Sequence, residues 1–294
     1  MNRQRYKCFD CGHVFEGKRR ASITKKKHAL WKAYSDGKQT YHQLSELSGY
    51  SKKWVQKGLG SNKYPTDINR HPKKGEEKIV LGMDATYWGR GFGVMLFRDI
   101  THHKNLFWFY IGHETVPDYL LGMKTLEQRG WEIQAIVCDG KSGLINAIDM
   151  IPVLLCQYHA YKTVINHITQ NPKLQAGKEL KEIAGRMFYI DKETFVKMLE
   201  EWYSKWKTFI DERTISNDTK RKWRYKHSRI RSAYKTLFKN KDVLFTWDDY
   251  LDLNIPNTNN SIEGVFSNLK NKLSVHNGLK REKKRNLINH FLAK

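Results

Sequence analysis

The sequence predicts an α/β protein whose sheet-forming core is interrupted by a helical block and preceded by a small basic domain. Three observations carry that reading. β-Branched and aromatic runs crowd residues 78–160, helical apolar spacing takes over from Ala160 to about Lys241, and charge is spread unevenly along the chain. Residues 1–78 hold 19 Lys/Arg against 7 Asp/Glu, residues 79–160 hold 6 against 8, and residues 263–294 hold 8 against 2. A near-neutral segment between basic arms, in a chain of net charge +23, points to a polyanionic partner, nucleic acid foremost.

With 294 residues the chain is long enough for two or three domains. No run of about 18 apolar residues is present, so no membrane span is expected. The start, "MNRQRYKCFDCGHVF", lacks an apolar signal core, which argues against secretion and for a cytoplasmic, nucleoid-associated protein. Of the four cysteines, Cys8 and Cys11 form one CxxC and two stand alone, a pattern of reduced thiols or metal ligands rather than of a disulfide framework.

In chain order, residues 1–27 hold the Cys8–Cys11 knuckle and a basic arm. Residues 28–60 follow with Leu44 and Leu47 at helical spacing, Gly49 in a turn, and Ser51 placed to cap a helix holding Trp54, Val55 and Leu59. Two short helices about a glycine turn are the helix-turn-helix pattern, with Lys52, Lys53, Gln56 and Lys57 placed to face a major groove. Residues 61–77 are polar, contain two prolines and read as a linker.

The core opens with "KIVLGMDATYW", "VMLFRDI" and "NLFWFYIGHE" as three strands, then "VPDYLLGMKTLEQRG" as an amphipathic helix stopped by glycine. "EIQAIVCDG" reads as a buried strand, "KSGLINAIDM" as a short helix and "IPVLLCQYH" as a last strand. A three-strand meander followed by strand–helix alternation matches an RNase H-like layout over residues 78–160. Residues 161–250 show no strand signal and predict an all-α insertion, with ten Lys/Arg between Thr219 and Lys241. Residues 251–294 supply an amphipathic helix with Ile262, Phe266, Leu269 and Leu273 on one face, then a basic tail.

Three acids stand out by position. Asp84 lies within the first strand, Asp139 directly follows "EIQAIVC", and Glu263 lies in the first turn of the late helix. In an RNase H-like sheet the first and fourth strands are neighbours, which brings Asp84 and Asp139 together although they are 55 residues apart. Carboxylates held close repel unless a proton or cation separates them. Mg²⁺ accepts a few carboxylates while keeping waters and room for phosphate oxygens, and two such ions suit in-line phosphoryl displacement. The plain alternatives are a strand-end acid at Asp84, a helix N-cap at Asp139, and a capping box between Asn260 and Glu263. "DGKS" is not a phosphate loop, because Ala135 stands where that motif needs glycine.

"VLGMDATYW", "VCDGKSGLINAIDMIPVLLCQYHAYKTV" and "NTNNSIEGVFSNLKNKL" resemble the three motif blocks of DDE transposases, specifically bacterial insertion-sequence members related to the Mutator-like group. The resemblance covers about residues 78–294, and the CxxC with the helix-turn-helix resembles that family's front end. It implies that Asp84, Asp139 and Glu263 hold two Mg²⁺ ions, with Mn²⁺ as a substitute. Cys156 and His159 match the Cys-x-x-His signature, with His159 as a further catalytic residue, and the helical insertion falls in the interval of 124 residues between Asp139 and Glu263. The implied partners are double-stranded DNA, as terminal inverted repeats and as target, and further copies of the chain.

One departure stands out. The family's zinc ribbon uses two CxxC knuckles, whereas only Cys8 and Cys11 precede the core here, with His13 or His28 as substitute ligands for a candidate Zn²⁺ site. In the tail, Lys280, Arg281, Lys283 and Lys284 are placed for phosphate contact. The rival readings are a non-catalytic DNA-binding regulator derived from a transposase and an RNase H-like nuclease or resolvase that cleaves without joining. If Glu263 is only a cap, Asp248, Asp249 and Asp252 in "TWDDYLDL" are the next candidates.

Overall fold

Short strands and strong helix caps set the N-terminal architecture. A computed structural model describes residues 5–15, 19–37, 39–60, 70–215, 222–276 and 278–294. The chain divides into two compact units, Met1–Thr66 with Val265–Lys294, and Asp67–Gly264.

In the first unit, β1 (Tyr6–Lys7) pairs antiparallel with β2 (Val14–Phe15), and the turn between them carries Cys8, Cys11 and a left-handed Gly12. Helices α1 (Arg19–Ser35), α2 (Tyr41–Ser48) and α3 (Lys52–Gly60) follow. Thr40 and Gln43 close a capping box on α2, Gly49 ends it at φ 69°, and the Ser51 hydroxyl accepts the Trp54 N–H at 3.3 Å. Tyr34 is the hub: it stacks on Tyr41 at 5.0 Å and meets the His276 ring at 4.1 Å. The residues from Val265 onward thus belong with the N-terminal helices. Most of the expected linker, residues 61–69, lies outside the described residues.

The second unit is built on a five-stranded mixed sheet of β3 (Lys78–Tyr87), β4 (Gly93–Asp99), β5 (Lys104–Ile111), β6 (Glu132–Cys138) and β7 (Val153–Leu155). Its order is β5-β4-β3-β6-β7, with β3, β4 and β5 antiparallel and β3, β6 and β7 parallel. That is the order expected of an RNase H-like sheet. α4 (Val116–Gln128) lies on one face, where Tyr119, Met123 and Leu126 join Leu81, Met83 and Phe97 in a core. Gly122 permits the close approach, since a Cβ there would sit 1.9 Å from the Phe97 ring. The opposite face carries Val80, Ala135, Val137 and Leu154, packed with Ile100 and Ile255.

After α5 (Leu144–Ala147) and β7, helices α6 (Gln157–Ile168), α7 (Gln175–Arg186) and α8 (Lys192–Ile210) lead into a hairpin of β8 (Arg213–Ile215) and β9 (Trp223–Tyr225). Helix α9 (Ser228–Lys239) and the short α10 (Lys241–Leu244) and α11 (Thr246–Asp249) complete the block, followed by a 3₁₀ turn at Leu251–Leu253. The hairpin corrects the expectation of an all-α insertion. Its strands are three residues long and interrupted by arginines, too short for an alternating pattern to register. The helices share one apolar core around Leu180, Phe195, Leu199, Trp202 and Phe245. Last come α12 (Asn260–Ser274) and α13 (Arg281–Leu292). Among the described residues no helix is long and apolar enough to cross a membrane.

Candidate functional site

The register between β3 and β6 places the first two acids. Gly82 pairs in parallel with Val137, and the same register carried two residues further sets Asp139 level with Asp84. Neighbouring strands run about 4.8 Å apart and alternate residues share a face. Asp84 therefore lies on the face of Val80 and Gly82, at the carboxyl ends of the parallel strands, where open α/β sheets keep their ligand crevices.

Glu263 is brought to that face by the segment before it. Gln157 N–H donates to Asn257 O at 3.0 Å, Asn259 N–H to Cys156 Sγ at 3.2 Å, and Asn259 Nδ2 to Met83 O at 3.3 Å. Ile262, fully buried, fits against the backbone of Gly82, where a Cβ would lie 2.9 Å from the Ile262 Cδ1 and 2.8 Å from Ile100. Missing side-chain volume at Gly82 thus admits the first turn of α12 to the sheet. Asn259 rather than Asn260 holds the cap position, its carbonyl accepting the Ile262 and Glu263 N–H groups at 3.1 and 3.3 Å. The capping box offered as the plain alternative for Asn260 and Glu263 does not form: counted from Asn259 the third helical residue is Ile262, which has no side chain to reach back, and Asn259 Oδ1 has no hydrogen-bond partner. Glu263 Oε1 instead lies 3.2 Å from His159 Nε2, in the first turn of α6, without hydrogen-bond alignment.

The crowding of the acids carries an electrostatic cost. Burial, and then the charge of Asp139, pushes the Asp84 carboxyl up to about 7, with Glu114 and Glu263 adding to the effect against a hydrogen bond from the Ala85 N–H. Glu114, between β5 and α4, is a fourth acid that sequence reasoning missed. Its Oε1 accepts the hydroxyl of the buried Tyr119 at 2.9 Å, and burial together with Asp139 and Glu114 raises that phenol. Asp139 Oδ1, Glu263 Oε1 and His159 Nδ1 are buried without a hydrogen-bond partner. Hard, unsatisfied carboxylate oxygens around a reluctantly ionising acid fit a hard divalent cation. Among the described residues no three His, Cys, Asp or Glu side chains stand, as placed, in a group that could hold a metal ion. The carboxylates are gathered, not clenched.

The remaining predicted residues are placed as follows. Cys156 is buried, its thiol raised by burial, and its sulfur serves the Asn259 contact. Asp248 accepts the Lys192 backbone N–H at 3.0 Å and Asp249 pairs with Lys192 Nζ at 3.0 Å, which commits both to packing the insertion. Lys52, Lys53 and Lys57 are exposed on α3 while Gln56 is half-buried. In the tail Lys280 and Arg281 are exposed, whereas Lys283 and Lys284 are half-buried and Lys283 Nζ sits 5.7 Å from the Tyr41 ring centre. The Cys8 thiol is held below its ordinary value first by the Cys11 and then by the Asp10 backbone N–H.

Comparison with solved structures finds a likeness to the Drosophila P element transposase strand transfer complex, at 12% identity and a TM-score of 0.39, over 97% of this chain and 81% of that one. A likeness at that level says nothing about chemistry. Comparison with protein-family models finds no match, and comparison with curated proteins finds none.

Proposed function

We propose that the chain is a DNA transposase that binds the terminal inverted repeats of its element, cleaves their 3′ ends and joins them to target DNA. The observation that carries this reading is the gathering of Asp84, Asp139 and Glu263 on one sheet face from three distant parts of the chain. Asp84, Asp139 and Glu263 would hold two Mg²⁺ ions, or Mn²⁺ in their place. Bound there, the metal supplies activation of an attacking oxygen and neutralisation of the leaving one. His159, its Nε2 3.2 Å from Glu263 Oε1, would orient that carboxylate once turned to donate to it, beside the path of a scissile phosphate. Exposed Lys52, Lys53 and Lys57, with Lys280 and Arg281, supply phosphate contacts that position the DNA, and Gln56 is the side chain of α3 suited to a base edge. Joining two element ends implies an oligomer.

A second reading, a non-catalytic DNA-binding regulator, is favoured by the knuckle of Cys8 and Cys11. A structural Zn²⁺ wants four ligands, and no further ligand joins these two among the described residues. Incubation with Mg²⁺ and a duplex bearing the inverted repeats that flank the coding sequence decides among the rivals. The proposal expects 3′ nicks followed by joining to target. Nicks without joining would make the chain a nuclease, and binding without nicks a regulator.

A further inference from the structure

The β8–β9 hairpin carries a cluster that the carboxylate chemistry does not use. Arg213 pairs with Tyr225 and Ile215 with Trp223, so all four side chains share one face of the two-stranded sheet. That face is open: Trp223 is 43% exposed and Ile215 86%. The Arg213 guanidinium lies 4.0 Å from the centre of the Trp223 ring, and Trp223 meets Tyr225 edge-on at 5.1 Å and 86°. A hollow of 520 Å³ beside them is lined by Lys222, Trp223, Arg224, Tyr225 and Ser228.

The base of the hairpin is braced. Arg231 is bonded to Asp211 and stands 4.0 Å from the centre of the Tyr225 ring. Glu212 pairs with Lys226 at 3.1 Å and His227 at 3.4 Å, and His227 stacks on Phe209 at 3.7 Å. The rings are thus held before any ligand arrives, with little left to order on binding. No Asp or Glu occurs from Thr219 to Lys241.

We propose that this face is a stacking platform for an unpaired nucleobase, with Trp223 as the ring it stacks on and Lys222 and Arg224 steering the adjoining phosphates. A guanidinium on one side of an indole leaves the other side for a second flat partner, and every base offers a π-face. Intact duplex hides those faces, so the platform selects frayed ends, overhangs or single strands over blunt duplex. An apolar protein partner would leave the surrounding cations unpaired in a chain of net charge +23.

The test uses the full-length chain in EDTA, so that its outcome is independent of the carboxylate site. Fluorescence anisotropy compares a single-stranded oligonucleotide, a duplex with a 3′ overhang and a blunt duplex, for wild type, Trp223→Ala and Trp223→Phe. Trp223→Ala is expected to weaken single-strand and overhang binding by about five- to a hundred-fold, the scale of one base–aromatic stack. Blunt-duplex affinity should hold, and Trp223→Phe should retain most of the single-strand affinity. In wild type, 2-aminopurine within the single strand should be quenched on binding. Equal losses on all three DNAs would make the hairpin a phosphate contact and overturn the proposal. So would unchanged single-strand affinity, an unquenched probe, or unchanged DNA binding with a shift in oligomeric state.

Discussion

Replacing Asp84 with Asn should stabilise the fold at high pH while removing its chemistry. Asp84 keeps its proton to about 7, burial and Asp139 being the main causes, whereas an unfolded Asp titrates near 3.9. The folded state therefore binds more protons than the unfolded one between these values. Stability falls as pH rises through that window and levels off above about 7. The full difference corresponds to roughly 4 kcal/mol, and because the side chain is half-buried we expect about 1–3 kcal/mol to be realised. Asn keeps the carbonyl that accepts the Ala85 N–H and removes the charge. The melting temperature of the variant relative to wild type should thus be unchanged near pH 4 and higher by several degrees at pH 8, at about 2–4 °C per kcal/mol. Thermal melts in EDTA at pH 4, 6 and 8 measure this. A variant less stable than wild type by the same amount at every pH would refute the crowded-acid account.

Gly82→Ala should push the first turn of α12 off the sheet, at a stability cost of about 1–3 kcal/mol, the scale of overpacking. Ile262→Val removes the clashing methyl of that helix, so the double variant should recover part of the lost stability; an additive pair would deny the contact. Glu114→Gln removes one of the charges raising Asp84, so the pH midpoint of Mg²⁺-induced stabilisation should move down. A midpoint that stays put would place Glu114 outside the site. If the N-terminal knuckle holds Zn²⁺, Cys8→Ser and Cys11→Ser should lose zinc and element-end binding together, and zinc-free protein with full end binding would retire the metal.

Asp84 and Asp139 were legible because they sit in or directly after strands whose apolar runs announce them, and because topology alone pairs those strands. Glu263 was legible by position but not by cause. Its approach depends on a missing side chain at Gly82 and on Asn259 rather than Asn260 taking the cap. Both are non-local facts that helical periodicity does not contain. Glu114 carried no signal, since its role arises from charge acting through space at the β5–α4 junction. The β8–β9 hairpin was hidden for a different reason. Strands of three residues studded with arginines fall below the length at which alternation can be read. Nor does any local pattern announce that the residues from Val265 onward group with the N-terminal helices, which Tyr34 achieves by meeting His276.

The most direct test of the central claim is Glu263→Gln. Gln can keep the place of Glu in the first turn of α12 but is a far poorer ligand for Mg²⁺. Mg²⁺-dependent strand transfer on an element end is measured beside end binding and melting temperature on the same preparations. Transfer should be abolished, with end binding unchanged and folding within about 1 kcal/mol of wild type. Near-normal transfer by Glu263→Gln would contradict the claim.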